Sequence, residues 1–131
     1  MPVNFAEIKI GSEWTRNQLA KLWGYKRFNA IARGVITPAN ENKIILFVTE
    51  EKQQSLTQYN DHLSNGILKW EGEDGHGNDQ RIATASENGD SIYVFYRKRH
   101  HQVFTYIGLV VLESKQIFSD RPSEFKFALT Q

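Results

Sequence analysis

Residues 92–112 read IYVFYRKRHHQVFTYIGLVVL, and this stretch decides what kind of fold the chain builds. Val, Ile, Tyr and Phe fit a pleated, half-buried backbone, so 92–97 and 103–112 are predicted to be strands. Between them lie Arg97, Lys98, Arg99, His100 and His101, a tip of basic and titratable residues bracketed by Tyr96, Phe104 and Tyr106. Aromatic faces beside guanidinium donors are the chemistry that holds a nucleobase against a phosphate backbone. An ordinary hairpin with a solvated tip and inward-packed aromatics has the same composition. Alternation places some of the three aromatics in the core, and a one-residue register error would exchange them.

Working outward, the same period continues. Residues 43–49 contain the uninterrupted run IILFV, which suits a strand buried on both faces. Residues 35–37 form a short strand, and 38–42 a turn. Residues 59–63 and 67–71 flank Ser64-Asn65-Gly66, a strong hairpin signal. Residues 50–55 are read as a turn of helix, 73–79 (EDGHGND) as a loop, and 124–129 as a last strand. Before all of these, Thr15 and Gln18 make a capping box for a helix with Leu19, Leu22 and Trp23 on one face, closed by Gly24. A second short helix is expected over 26–32. It spans about two turns, short for a groove-reading helix, so a lid on the strands is favoured over a helix-turn-helix. The expected fold is α+β and mostly β: a small antiparallel barrel with two or three short helices, residues 1–131 forming one domain with the N-terminal helices at about 13–34.

Composition bounds the function. The chain has no Cys, which removes disulfides, thiolate zinc sites and a Cys nucleophile. No apolar run approaches the ~18 residues of a membrane span, and the N-terminal residues do not read as a signal peptide. The expectation is a cytoplasmic protein away from membranes. The net charge of +1 is the sum of +4 over residues 1–49, −6 over 50–90 and +3 over 91–131. Non-specific coating of DNA needs a more uniformly basic chain. A basic face beside an acidic middle suits gripping a short stretch.

Trp70 ends a predicted strand and leads into a loop with Gly72, Gly75 and Gly77, which permit tight turns and close backbone approach. Trp70 is either one wall of a base pocket or a core residue under a flexible acidic loop. Asn78 and Asp79 have the amide and carboxylate chemistry that reads base edges. His76, His100 and His101 lack the helical i, i+4 spacing of a hydrolytic zinc site, so no metal or other cofactor is expected. No nucleophile elbow, phosphate loop or dinucleotide fingerprint occurs, and an enzyme is not expected. Glu71, Glu73, Asp74 and Asp79 leave a small metal-dependent nuclease as the third alternative, behind a protein-interaction module.

Several stretches together carry a family resemblance: Trp23-Gly24-Tyr25, Ala32-Arg33-Gly34-Val35, Ile45-Leu46-Phe47-Val48-Thr49, Trp70-Glu71-Gly72-Glu73, Arg81-Ile82, Phe95-Tyr96-Arg97 and Phe104-Thr105-Tyr106-Ile107-Gly108. From about residue 14 to the last strand the chain resembles an uncharacterised domain found at the C-terminus of bacterial superfamily II helicases and restriction-like proteins. More loosely, it resembles domains fused to HNH endonucleases and the PUA-like class of SRA and EVE modified-base readers. The resemblance implies a non-catalytic DNA-binding module in restriction or phage defence. Such a module flips a base, with a 5-modified cytosine preferred, into an aromatic pocket. On that basis Tyr59, Trp70, Asp79 and Tyr96 are the expected pocket residues. Arg81, Arg97, Arg99 and His101 are the expected contacts to the DNA backbone. A helicase or nuclease, as a domain or a separate subunit, is the implied partner.

Overall fold

A computed structural model of the chain describes residues 3–38, 41–51, 62–72, 78–99, 101–120 and 122–130. Eight strands share one sheet: β1 (Glu13–Trp14), β2 (Val35–Ile36), β3 (Lys43–Glu51), β4 (His62–Ser64), β5 (Ile67–Glu71), β6 (Ser91–Arg99), β7 (Phe104–Gln116) and β8 (Glu124–Leu129). Their order is β2-β3-β6-β7-β8-β5-β4, with β1 added to β7. Helix α1 (Arg16–Leu22) and a 3₁₀ turn (Phe28–Ile31) precede β2, while α2 (Asp79–Ala83) and α3 (Ala85–Asn88) lie between β5 and β6. The mostly-β composition with few short helices is as expected from the sequence.

The antiparallel expectation needs one correction. β3 and β6 run parallel, from Lys43 opposite Ser91 to Glu51 opposite Arg99. The β4–β5 hairpin and α2–α3 lie between them in the chain and supply the crossover that a parallel pair requires. Nor does the sheet close into a barrel among the described residues, because no ladder joins β2 to β4.

The run IILFV explains why a sheet with two covered faces forms. Ile44 to Val48 are all buried. Ile44, Leu46 and Val48 enter a cluster with Leu68, Trp70, Ile82, Val94, Val110, Phe125 and Phe127. Ile45 and Phe47 enter the opposite cluster with Leu19, Trp23, Ile31, Phe95, Phe104 and Tyr106. The helical segment before β2 is therefore the lid over one face, and α2–α3 contribute to the other. The lid begins as the sequence says: Gln18 N–H donates to Thr15 Oγ1 at 3.1 Å and Thr15 N–H to Gln18 Oε1 at 2.8 Å. Its second half contracts. Arg27 is extended and supplies no side-chain cap, so the helix expected over 26–32 is one 3₁₀ turn, too short to read a groove.

The Asn65-Gly66 hairpin forms with φ of 53° and 78°, the positive pair that a two-residue type I′ connection needs. β5 and β8 have the bounds expected from sequence. Three features were not foreseen: β1, the helices α2 and α3 in the stretch after the glycine loop, and a bulge in β7. Val94 pairs with Gly108 and Phe95 with Tyr106, so Ile107 is an extra residue. That residue exchanges the faces of β7: Phe104 and Tyr106 join the lid cluster, whereas Val110 joins the other. The turn expected over 50–55 lies largely outside the described residues, as do residues 73–77 of the glycine loop.

Candidate nucleic-acid interface

Two regions hold the residues that the sequence singled out, and the register of β7 keeps them apart. Tyr96 pairs with Thr105, while Trp70 pairs with Phe125, which pairs with Lys115. Thr105 and Lys115 are ten residues apart on β7 and mark its opposite ends.

The first region is the corner between β5 and α2. The alternation of β5 turns Leu68 and Trp70 inward, and Trp70 lies 5.6 Å from the Phe125 ring and 6.2 Å from Phe127. Trp70 is 5% exposed, so it is a core residue here and not a free stacking wall. Its inward position follows from strand parity, since a side chain between the outward Lys69 and Glu71 must face the cluster. Beyond it, Gly72 N–H donates to the Ser123 carbonyl at 2.8 Å. A Cβ on Gly72 would lie 2.7 Å from Asp79 Oδ1 and 3.3 Å from Phe125 Cε2. Glycine is therefore required by close approach, and the chain on either side of residues 73–77 meets at the Gly72–Asp79 contact. Asp79 is buried at the start of α2. His62, which follows the stretch containing Tyr59, pairs with Lys69 next to Trp70. Tyr59 itself lies outside the described residues, as do His76 and His100. A hollow of about 470 Å³ beside this corner is lined by Lys69, Trp70, Glu71, Lys115, Phe125 and Lys126, among others.

The second region is the β6–β7 hairpin. Gln102 closes its tip: Gln102 N–H donates to the Arg99 carbonyl at 3.3 Å, and Arg99 N–H to Gln102 Oε1 at 3.2 Å. His101 sits in the turn with φ of 70°, and Lys98, Arg99 and His101 are exposed. Tyr96 faces the same cluster as Trp70, and its hydroxyl donates to Glu50 Oε1 at 2.6 Å. It borders a hollow of about 470 Å³ with Glu13, Arg97, Lys98 and Val103.

Arg97 points to the lid face. Its Nε donates to Thr49 Oγ1 at 2.8 Å, and its guanidinium carbon stands 4.2 Å from the centre of the Phe104 ring. Arg16, the first residue of α1, reaches the same ring at 5.0 Å and Phe47 at 4.8 Å. Burial, and then the nearby Arg97 charge, lower the Arg16 pKa to about 10, and burial lowers that of Arg97. Both remain cationic at neutral pH. The sequence reading missed Arg16. A signal existed: a cation in the first turn opposes the helix dipole, and α1 has no acid there.

Arg81, expected among the backbone contacts, is engaged within the fold. Its Nε and one Nη donate to the two carboxylate oxygens of Asp90 at 3.1 and 3.2 Å, and the same Nη to the carbonyls of Glu41 and Lys43. It ties α2 to the start of β3 and to the turn before β6. Its position as the third residue of α2, a helix that the sequence reading did not assign, is what aims it inward.

Among the described residues no group of three His, Asp or Glu is placed to hold a metal ion, and no helix is long and apolar enough to cross a membrane.

The profile of a family described as "Domain of unknown function (DUF3427)" matches residues 8–129. No curated protein is significantly similar in sequence. Among solved structures, the SUVH5 SRA bound to fully hydroxymethylated CG DNA superposes with a TM-score of 0.65 at 15% identity, covering 98% of this chain and 93% of that one. The SUVH5 SRA in complex with fully methylated CG DNA gives 0.64 at 15% identity, with the same coverage. The DNA modification-dependent restriction endonuclease AspBHI gives 0.54 at 15% identity, covering 88% of this chain and 38% of that one. The chain has the SRA-like fold.

Proposed function

The chain belongs to the DUF3427 family, and from that premise we propose that it is a non-catalytic module that reads a modified base in DNA. The observation that carries the reading is the coincidence of fold along nearly the whole chain with SRA domains crystallised on methylated and hydroxymethylated CG DNA. A 5-modified cytosine, flipped from the duplex, is the proposed ligand. The base is read at the corner where Gly72 meets Asp79. There the Asp79 carboxylate accepts from the exocyclic amino group, Tyr59 supplies a stacking face, and Trp70 is the floor behind them. Arg97, Arg99 and His101 grip the backbone from the hairpin, and Tyr96, braced by Glu50, stands beside that grip.

The partial match to AspBHI, a larger protein, supports the further reading that cutting or unwinding is supplied by a nuclease or helicase on another domain or subunit, in a restriction or phage-defence setting. The test is affinity for methylated, hydroxymethylated and plain CG duplexes at one salt concentration. A hydrophobic or polar mismatch of one small substituent is worth about 1–3 kcal/mol, so a preference of roughly 10- to 100-fold is expected. Equal affinity for all three duplexes refutes modified-base reading.

A further inference from the structure

Two guanidiniums sit half-buried on one ring at the edge of the lid, and neither has a carboxylate partner among the described residues. Arg16 donates through Nε to the Ile31 carbonyl at 3.1 Å and through Nη2 to the Arg33 carbonyl at 3.4 Å. Arg97 donates through Nε to Thr49 Oγ1 and through Nη1 to the Gln102 carbonyl at 3.3 Å. These bonds hold the two forks in place and leave Nη1 of Arg16 and Nη2 of Arg97 without a protein acceptor among the described residues. Like charges brought together and partly desolvated destabilise the fold unless something offsets them, and among the described residues the offsets are neutral: the Phe104 and Phe47 π-faces and the carbonyl and hydroxyl acceptors just named. The contrast with Arg81 is direct, since that arginine is paired bidentately with its own acid.

A hollow of about 270 Å³ opens on this pair, with Thr15, Asn17, Phe28, His101 and Gln102 completing its lining beside Phe104. We propose that Arg16 and Arg97 form a two-arginine clamp for a single phosphate group, and that in the DNA complex this group is a backbone phosphodiester. Two forks with spare N–H donors match an oxyanion that offers several acceptor oxygens. The clamp places lid and hairpin on one phosphate, which gives the lid a part in binding that the hairpin residues alone do not imply. The identity of the anion as DNA backbone rests on the function proposed above; the existence of an anion site does not.

The test uses the whole chain with Arg16→Gln, Arg97→Gln and the double variant. Inorganic phosphate, compared with chloride at equal ionic strength, is expected to raise the melting temperature of the wild type, and each single variant is expected to lose that increment. Each is also expected to weaken binding of plain and methylated duplexes alike, by about 10-fold, and to reduce the salt slope by about 1. The double variant is expected to be little worse than either single one, because the two side chains share one phosphate. An unchanged phosphate response in both single variants overturns the clamp. A response that is lost as expected, in a protein that binds no duplex, supports the anion site and overturns the DNA reading. Arg16→Lys keeps the charge without the fork; full retention of both phosphate response and duplex affinity in it overturns bidentate capture.

Discussion

Replacing Arg81 by Met separates a structural arginine from a DNA-contacting one. Methionine keeps an unbranched apolar stem and removes the guanidinium. What is lost is a bidentate pair to Asp90 at 3.1 and 3.2 Å and two bonds to the carbonyls of Glu41 and Lys43. Asp90 is only 4% exposed and would be left as a buried carboxylate without its counter-ion. Breaking a fully buried pair costs about 3–5 kcal/mol. Arg81 keeps 33% of its side chain exposed, so solvent screening already weakens the native pair and the estimate falls to about 2–3 kcal/mol. For a chain of this length that is a fall in melting temperature of roughly 6–12 °C. Urea denaturation followed by circular dichroism reads the free energy, and duplex titration over a range of salt reads the phosphate contact. At temperatures where the variant is folded, its duplex affinity and salt slope should match the wild type. The reasoning is refuted if Arg81→Met unfolds within about 0.5 kcal/mol of the wild type while its salt slope drops by about 1. That result would return Arg81 to the backbone-contacting set.

Two further outcomes follow from packing and from burial of an ionisable group. Gly72→Ala places a methyl 2.7 Å from Asp79 Oδ1 and should cost about 1–3 kcal/mol in urea denaturation; in an Asp79→Ala background the same change should cost much less. Equal costs in the two backgrounds would mean that Asp79 is not what excludes a side chain at 72. Burial, and then the neighbouring Tyr93, push the Tyr106 hydroxyl up to about 12 from 10.0. The neutral phenol is thus favoured by the fold, and its contribution is complete below about pH 10 and lost as pH rises through about 12. Tyr25 is also raised, by burial and by Glu41, and adds in the same direction. Stability measured from about pH 9 to about pH 12 should fall less steeply in Tyr106→Phe than in the wild type; parallel curves would contradict it.

Local chemistry was legible wherever one residue or one short spacing determines it. Asn65-Gly66 specifies a turn with two positive φ values, Thr15 with Gln18 specifies a cap, and IILFV specifies a strand covered on both faces. The corner at Gly72 was legible in part, because glycine after a strand signals close approach without saying what approaches. Asp79, which does, was read as the end of the loop and is brought there by a helix only five residues long that the sequence reading did not assign. The parallel placement of β3 and β6 was hidden for a different reason. Antiparallel and crossover connections carry the same local pattern, and only packing of the intervening elements selects between them.

The hairpin at 92–112 shows both sides. Its composition alone determined two strands and an exposed basic tip, because β-branched and aromatic residues favour the pleat and charged ones favour water. Which way Phe104 and Tyr106 face relative to Val110 was decided by one extra residue, Ile107, opposite the Val94–Phe95 step. That bulge sends Phe104 to the lid, where it lies between Arg97 from its own hairpin and Arg16 from a helix nearly ninety residues earlier. Side-chain parity along a strand is a local property, but its phase is set by pairing with another strand, and pairing exists only in the folded chain.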